Sequence, residues 1–352
     1  MHPSVGSPER LGLRMRVRLR PSGARIVGAG VKDVKGVKGA TGAEIARNVV
    51  SGDRRAVARA ISMVEDGSDE LPALSEALYP KTGHAYTIGL TGSPGVGKSS
   101  LAEHLVRTAR AGGHTVSVLA VDPTSPFTGG ALLGDRLRMQ SHATDPGVFI
   151  RSMATRGHFG GMALATPEAI RVLDASGKDF VIVETVGVGQ AEVDVATAAD
   201  TTLVAVQPGW GDAVQAAKAG ILEVADVFVV NKADREGAGD VVRDLRAMLR
   251  MGPKLSWEPP IVRTSTVSGE GVEDLWAAIA SHRTHGESTG ELGAKRRRRI
   301  LEEVESMVAF RLRARTAGLL DEGGAPELAE DLVARRLDPY AAVDRLIDRL
   351  TS

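Results

Sequence analysis

Residues 92–99 read Gly-Ser-Pro-Gly-Val-Gly-Lys-Ser, and the apolar run Tyr86–Thr91 leads directly into them. This spacing is the G-x-x-x-x-G-K-[ST] phosphate loop, whose backbone N–H groups point inward and bind phosphate. Lys98 can reach the β- and γ-phosphate oxygens, and the Ser99 hydroxyl can ligate Mg²⁺. The helix predicted over Ser99–Ala111 presents its positive N-terminal end to the same anion. A strand before the loop and a helix after it therefore predict a nucleotide site.

A second motif far downstream indicates which base is bound. The apolar run Val227–Val230 is typical of a buried parallel strand, and Asn231-Lys232-Ala233-Asp234 follows its carboxyl end. A carboxylate at Asp234 can accept hydrogen bonds from both N1–H and the 2-amino group of guanine, and adenine has neither donor. A site built to hydrogen-bond one ligand rejects an analogue that leaves its groups unpaired by roughly 10⁴-fold. The motif therefore predicts GTP rather than ATP. Ser265 is placed to close the base pocket.

Acidic residues after two further strands predict a magnesium site. The strand predicted over Phe180–Glu184 ends three residues before Gly187. In phosphate-loop enzymes an acidic group at this strand end holds Mg²⁺ directly or through water, and the glycine N–H contacts the γ-phosphate. Asp122 and Asp135 bracket a Gly- and Pro-rich stretch, which predicts a switch loop ordered by Mg²⁺ and the third phosphate. The predicted metal ligands are Ser99, Asp122, Asp135 and Glu184.

Val188 stands directly after Gly187, where small Ras-type GTPases carry a water-orienting glutamine. An apolar side chain cannot orient the attacking water, so unassisted hydrolysis is expected to be slow. Gln190 is close enough in sequence to contribute, and its role stays open. The residues predicted to contact the nucleotide are Gly92, Ser93, Pro94, Gly95, Val96, Gly97, Lys98, Ser99, Ser100, Gly187, Asn231, Lys232, Asp234 and Ser265.

Short apolar strands alternate with helical patterns through the middle of the chain. The predicted strands are Tyr86–Thr91, Thr115–Val121, Val148–Ser152, Phe180–Glu184, Thr201–Val206, Val227–Val230 and Pro260–Thr264. Helical patterns between or after them are Ser99–Ala111, Pro167–Ala175, Ala213–Val224, Ala238–Leu249 and Gly271–His282. This alternation predicts an α/β fold, a P-loop NTPase with a doubly wound, mostly parallel sheet that binds ligands at the carboxyl ends of its strands.

Four segments are expected along the chain: a basic, disordered arm over 1–40, a helical lead-in over 41–84, a P-loop GTPase domain over 85–285 and a helical C-terminal extension over 286–352. A functional basic arm or an organellar presequence is the alternative for the first segment. In the lead-in, Ala43, Ile45, Val49 and Val50 form an apolar stripe.

In the extension, the basic run Lys295–Arg299 opens a helix predicted over Ile300–Thr316 and is expected to be solvated rather than to bind nucleic acid. Asp338 is expected to cap a last helix, with Pro339 in its first turn.

Composition excludes several classes of site and partner. The chain has 352 residues, 43% of them hydrophobic, which is enough for a large core. Its formal net charge is +0, so neither nucleic acid nor a membrane is expected as a partner. It has no cysteine, which excludes disulfides and thiolate metal sites. No apolar stretch approaches the roughly 18 residues that span a bilayer, and a cytoplasmic protein is expected.

Several strings together resemble the MeaB/ArgK family of methylmalonyl-CoA mutase-associated GTPases. They are Gly92–Ser99, Val121–Pro123 with Thr128–Arg136, Arg156–Gly161, Val183–Gln190, Pro208–Asp212 and Asn231–Asp234. The resemblance covers about residues 42–350. It implies a homodimeric GTPase chaperone that uses GTP, GDP and Mg²⁺, gates adenosylcobalamin loading onto methylmalonyl-CoA mutase and protects that enzyme.

The resemblance also implies roles for particular residues. The loop Gln207–Lys218 resembles an additional switch through which the mutase stimulates hydrolysis, and the C-terminal extension would help to form the dimer. The residues implied in catalysis are Lys98, Asp122, Asp135, Glu184, Gln190, Asp212 and Lys218. Thr266 departs from the alanine usual after the base-pocket serine, and the arm before residue 41 has no clear counterpart.

Two other functions stay open at this point: a P-loop metabolic kinase or ATPase of the amino-acid transport type, and a metal-insertion GTPase. The guanine motif argues against the first. The absence of cysteine and the scattered histidines argue against the second. The sequence leaves undecided which adenosylcobalamin mutase is the client, and whether hydrolysis drives cofactor loading or ejection.

Overall fold

Seven parallel strands form one sheet at the centre of the protein. The structure is a computed structural model that describes residues 40–123, 142, 144–155, 162–185, 191–209, 224–252, 255–321 and 326–351. The strands are β1 (Tyr86–Gly92), β2 (Val116–Pro123), β3 (Val148–Thr155), β4 (Phe180–Thr185), β5 (Thr201–Val206), β6 (Val227–Val230) and β7 (Ile261–Arg263). Their spatial order is β3-β2-β4-β1-β5-β6-β7, and each adjacent pair is parallel. The doubly wound α/β fold predicted from the sequence is confirmed.

Helices connect the strands and extend the chain at both ends. In chain order, the α-helices of the described residues are α1 (Gly42–Val50), α2 (Arg54–Asp66), α3 (Leu71–Leu78), α4 (Lys98–Ala111), α5 (Met162–Ala175), α6 (Ala191–Ala198), α7 (Ala238–Met251), α8 (Val272–Thr289), α9 (Glu291–Asp321), α10 (Pro326–Val333) and α11 (Pro339–Thr351). Residues 213–223 of the helix predicted before Val224 lie outside the described residues. No helix within the described ranges combines the length and apolarity that crossing a membrane requires.

The strand order places the phosphate loop at the centre of the sheet. β1 lies between β4 and β5, and the chain fills one side of the sheet before it crosses to the other. In open α/β sheets this reversal leaves a crevice at the carboxyl ends of the strands, where ligands bind. Gly92, the last residue of β1, opens onto that crevice.

The sheet is buried on both faces, which explains its continuous apolar strands. Successive residues of β4 alternate between the faces. Val181 and Val183 pack in the cluster that includes α1, α2, α3 and α5, whereas Ile182 packs in the cluster that includes α4 and α8. A third cluster joins α7 to β5 and β6.

The predicted apolar stripe of the first helix is wrong at two positions. Thr41 and Glu44 form a capping box at the start of α1, but Ala43 and Val50 are exposed. The buried face instead includes Gly42, because a Cβ at this position would lie 2.5 Å from the backbone oxygen of Glu70. The backbones of Gly42 and Glu70 pack closely, so Gly42 lies on the buried side of α1 and Ala43 and Val50 do not.

The basic run Lys295–Arg299 is only partly solvated: Arg297 and Arg298 are exposed, as predicted, but the other three residues are half-buried and paired. Its helix, α9, begins earlier than expected, at Glu291. Arg296 and Arg299 pair with the fully buried carboxylate of Asp200 at 2.6 and 3.2 Å. Lys295 pairs with Asp226 at 2.9 Å. Since both aspartates lie beside the amino ends of β5 and β6, these cations attach α9 to the base of the sheet.

The cap predicted for the last helix is confirmed. The Oδ1 atom of Asp338 accepts hydrogen bonds from the backbone N–H groups of Tyr340 and Ala341 at 2.9 and 3.2 Å. Pro339 is the first residue of α11 and lacks the N–H group that would need a partner there.

Candidate nucleotide-binding site

The phosphate loop depends on two glycines in left-handed backbone conformations. Gly92 has φ +136°, and a Cβ on it would lie 2.2 Å from the backbone oxygen of Ala205 on β5. Gly97 has φ +102°, and its Cβ would lie 2.5 Å from the Nδ2 atom of Asn231. Side chains at these positions would displace either the sheet or the base-recognition residues. The loop therefore keeps its path only with glycine at both positions.

Lys98 is the first residue of α4 and is buried. Its ammonium group folds back over the loop, where Nζ donates to the backbone oxygen of Gly92 at 2.5 Å and to that of Ser93 at 3.1 Å. The positive charge is thus held inside the loop, next to the helix N-terminus. Both features favour an anion at this point. Ser99 and Ser100 follow in the first turn of α4 and are half-buried.

The Asn231–Asp234 segment is joined directly to the phosphate loop. The buried side chain of Asn231 donates from Nδ2 to the backbone oxygen of Val96 at 2.7 Å. Its Oδ1 accepts from the hydroxyl of Thr264 at 3.1 Å. Lys232, with φ +58°, donates from Nζ to the backbone oxygen of Gly95 at 2.6 Å. These contacts, which no local sequence pattern predicts, fix the distance between the phosphate and base sites.

Asp234 is ready to accept hydrogen bonds. The hydroxyl of Ser265 and the backbone N–H of Asp234 itself hold the pKa of this carboxyl below its usual value. It is therefore ionised at neutral pH and has only acceptors to offer a base. Backbone hydrogen bonds of 2.9 Å from Ala233 to Thr264 and from Thr264 to Val230 keep the two base loops side by side. This places Ser265 beside the segment that carries Asp234, and its predicted role in closing the base pocket stays a prediction.

The carboxyl edge of the sheet also fits a phosphate-bound cation. Glu184 is buried near the end of β4, next to Leu90 of β1 and Ala120 of β2 in the strand register. At the ends of β1 and β4 and in the loop that follows β1, the hydroxyl oxygens of Thr91, Thr185 and Ser93 are buried and make no hydrogen bond within the described residues. Buried polar atoms almost always have partners, so these hydroxyls suit a polar ligand such as Mg²⁺ with its water shell. No three His, Cys, Asp or Glu side chains cluster as a metal site in the described part of the chain.

Other predicted site residues are not described. Asp122 lies in β2 near its carboxyl end, but the position of its side chain is not described. The remaining ones lie outside the described residues, namely Asp135, Gly187, Val188, Gln190, Asp212 and Lys218. Their roles stay predictions. Of the described residues, Pro94 belongs to the phosphate loop between Ser93 and Gly95.

The family of the chain follows from comparison with known proteins. A model of the family described as methylmalonyl Co-A mutase-associated GTPase MeaB matches residues 57–319. The chain belongs to this family. Its phosphate loop and predicted guanine motif lie within the matched region, so this member of the MeaB family is a P-loop GTPase. The resemblance stated from the sequence is confirmed.

Individual relatives extend the match along the chain. A GTPase of Pyrococcus horikoshii is 48% identical over 311 residues, which cover 87% of this MeaB-family chain and 98% of that protein. The Escherichia coli GTPase ArgK is 36% identical over 273 residues, with 75% and 82% coverage. The crystal structure of a LAO/AO transport system kinase is similar at TM-score 0.67 and 26% identity, covering 90% of this chain and 99% of that one.

Proposed function

We propose that this GTPase gates adenosylcobalamin loading onto methylmalonyl-CoA mutase, or onto a closely similar adenosylcobalamin-dependent mutase, and protects that enzyme from inactivation. The observation that carries the GTPase part of the proposal is the direct hydrogen bonding between the two nucleotide motifs. Asn231 and Lys232 hold the guanine-reading segment against Val96 and Gly95 of the phosphate loop. The description of the matched family, a mutase-associated GTPase, supports the choice of client.

The predicted site residues have defined tasks in this proposal. Lys98 supplies positive charge to the β- and γ-phosphates, and the glycine-rich turn supplies backbone donors. Ser99 and Glu184, with Asp122 and Asp135, would hold Mg²⁺, which neutralises phosphate charge as the γ-phosphate leaves. Asp234 and Ser265 select guanine.

A partner completes the site. Val188 replaces the water-orienting glutamine, so the protein alone hydrolyses GTP slowly. Gln190 is a candidate to assist. The mutase raises the rate by favouring one conformation of the Asp122–Asp135 and Gln207–Lys218 loops around the γ-phosphate. A partner can shift this equilibrium only if it binds that conformation more tightly.

We also propose that the protein acts as a homodimer in the cytoplasm through its helical extension. Leu301, Val304 and Val308 on α9 are each more than half exposed, and α11 exposes Val343 and Ile347 to a similar degree. The α9 residues recur at the three- and four-residue spacing of a helix-packing seam. A second copy of the chain would cover this stripe in a two-fold arrangement.

The client proposal is tested by complex formation in each nucleotide state. The purified protein is mixed with an adenosylcobalamin-dependent methylmalonyl-CoA mutase in GDP or in a non-hydrolysable GTP analogue, and the complexes are separated by size-exclusion chromatography with light scattering. We expect a complex whose stability differs between the two nucleotides. Absence of a complex in both states would contradict the proposed client.

An ATP-dependent kinase is the second candidate, because a structure similar at 26% identity is that of a LAO/AO transport system kinase. The two candidates differ in the base that they bind. Calorimetric titration with GDP and ADP separates them, since equal affinity for both nucleotides would remove the basis of the GTPase proposal.

A further inference from the structure

His104 contacts the loop that borders the base pocket from the helix that follows the phosphate loop. It lies in α4, and its half-buried ring places Nε2 3.0 Å from the backbone oxygen of Thr266. A carbonyl oxygen can only accept, so the ring nitrogen is the donor. This hydrogen bond links two segments that are 162 positions apart in sequence.

The loop that His104 holds is closed on itself by backbone hydrogen bonds. The N–H of Ser265 donates to the oxygen of Glu270 at 3.0 Å, and the N–H of Gly269 donates to the oxygen of Ser265 at 2.8 Å. The His104 ring also packs against this turn, since a Cβ on Gly269 would lie 3.7 Å from its Cε1 atom. The loop is therefore a small rigid unit, and His104 ties it to α4.

Thr266 occupies a position that matters for reading the base. It directly follows Ser265, whose buried hydroxyl lowers the pKa of the Asp234 carboxyl. Thr266 is half-buried as a residue, and its backbone N–H makes no hydrogen bond with other described residues. Guanine carries a carbonyl acceptor at C6, next to the N1–H that Asp234 would accept, whereas adenine carries an amino group there. A backbone donor on this loop would therefore match guanine and reject adenine.

We propose that His104 is a positioning residue for guanine recognition. His104 holds the carbonyl group of Thr266 and so fixes the distance between α4 and the loop that contains Thr266. At this distance the backbone N–H of Thr266 can donate to guanine O6. The inference rests on the proposed binding of guanine nucleotides at this site. It adds a residue outside the known sequence motifs to the determinants of base specificity.

The test compares variants that keep or remove the ring donor. His104→Leu removes the donor and retains a bulky side chain, and His104→Gln keeps an N–H donor at about the same reach. Arg107→Gln, a change of an exposed residue on the same helix, is the control. Each protein is titrated calorimetrically with GDP and with 6-thioguanosine diphosphate, which keeps both donors for Asp234 but replaces O6 by sulfur, a weak acceptor.

We expect His104→Leu to bind GDP about 3- to 10-fold more weakly, the range for the loss of one hydrogen bond. His104→Gln should recover most of this loss, and Arg107→Gln should bind as the wild type does. The loss in His104→Leu should be smaller with the 6-thio nucleotide, because its sulfur gains little from a well-placed donor.

Two results would overturn the inference: unchanged GDP affinity in His104→Leu, or an equal loss with both nucleotides, which would indicate a general packing role. Thermal unfolding of each variant checks the fold, and His104→Met serves as a second donor-free variant if leucine disturbs it. If the wild-type protein bound ADP as tightly as GDP, the proposed function would fail instead.

Discussion

The side-chain amide of Asn231 donates to the backbone oxygen of Val96 at 2.7 Å, although 135 positions separate the two residues. Asn231 is fully buried, and its Oδ1 accepts from Thr264 as well. One side chain therefore links the phosphate loop to both loops of the base pocket. The phosphate and base sites form one unit whose spacing is set before a nucleotide arrives.

Replacing this link should weaken both folding and binding. In Asn231→Ala, the oxygen of Val96 and the hydroxyl of Thr264 lose their partner. A buried polar group left unpaired costs about 1–3 kcal/mol, so we expect a loss of that size in the free energy of unfolding and a GDP affinity about tenfold lower. Urea denaturation and calorimetry measure the two effects. Wild-type values in both would contradict the role assigned to Asn231.

Two glycines of the phosphate loop should respond differently to alanine. Both have positive φ, so each Gly→Ala change strains the backbone by about 1 kcal/mol or more. A Cβ at Gly97 would also lie 2.5 Å from the Nδ2 of Asn231, whereas a Cβ at Gly95 meets nothing within 4 Å. We expect Gly97→Ala to lose at least about tenfold more GDP affinity than Gly95→Ala. Equal losses would show that crowding against Asn231 is unimportant.

Base selectivity should change with the Asp234 side chain. An asparagine at this position presents an amide donor, which matches the 2-carbonyl group of xanthine and not the 2-amino group of guanine. Asp234→Asn should therefore bind GDP more weakly and xanthosine diphosphate more tightly than the wild type does. Competition with a fluorescent nucleotide measures both affinities. An unchanged preference for guanine would place base reading elsewhere.

The buried pairing of Asp200 predicts a pH-dependent stability. Burial by itself would raise the pKa of Asp200, but the hydrogen bond from Arg296 and the charges of Arg299 and Arg296 outweigh it and lower the pKa below 3.8. A lowered carboxyl pKa stabilises the fold at pH values above 3.8, and this contribution is lost as the pH falls through the lower folded-state pKa. Asp200→Asn should lower the free energy of unfolding by about 3 kcal/mol at pH 7.

The difference in the free energy of unfolding between the wild type and Asp200→Asn should become smaller as the pH falls below 3.8. Denaturant unfolding at neutral and acidic pH measures it. Asp240→Asn is the control, because Asp240 pairs with Arg243 on an exposed surface and should change stability little at either pH. If the difference in the free energy of unfolding between the wild type and Asp200→Asn did not change with pH, this result would contradict the assigned ion pairs.

Local patterns in the sequence were sufficient for the sheet and the two nucleotide motifs. Buried parallel strands such as Val227–Val230 are continuous apolar runs with a turn signal after them, so their positions can be read directly. The phosphate loop and the Asn231–Asp234 segment are likewise contiguous. The fold class follows once their order along the chain is known.

Contacts between distant segments could not be predicted in this way. The run Lys295–Arg299 has the charge pattern of a solvated helix start, and nothing nearby in sequence reveals that its partners are Asp200 and Asp226. The contact of His104 with Thr266 is equally non-local. Such pairs depend on how helices pack against the sheet, which a single sequence does not specify.

The most direct test of the central claim is single-turnover GTP hydrolysis with and without the adenosylcobalamin-dependent mutase. We expect the protein alone to need roughly tens of minutes per turnover, as unassisted small GTPases do, and saturating mutase to raise the rate. Lys98→Ala should be at least ~10²-fold slower in both conditions, because it removes charge from the β- and γ-phosphates. A fast rate without the mutase, or no response to saturating mutase, would contradict the account.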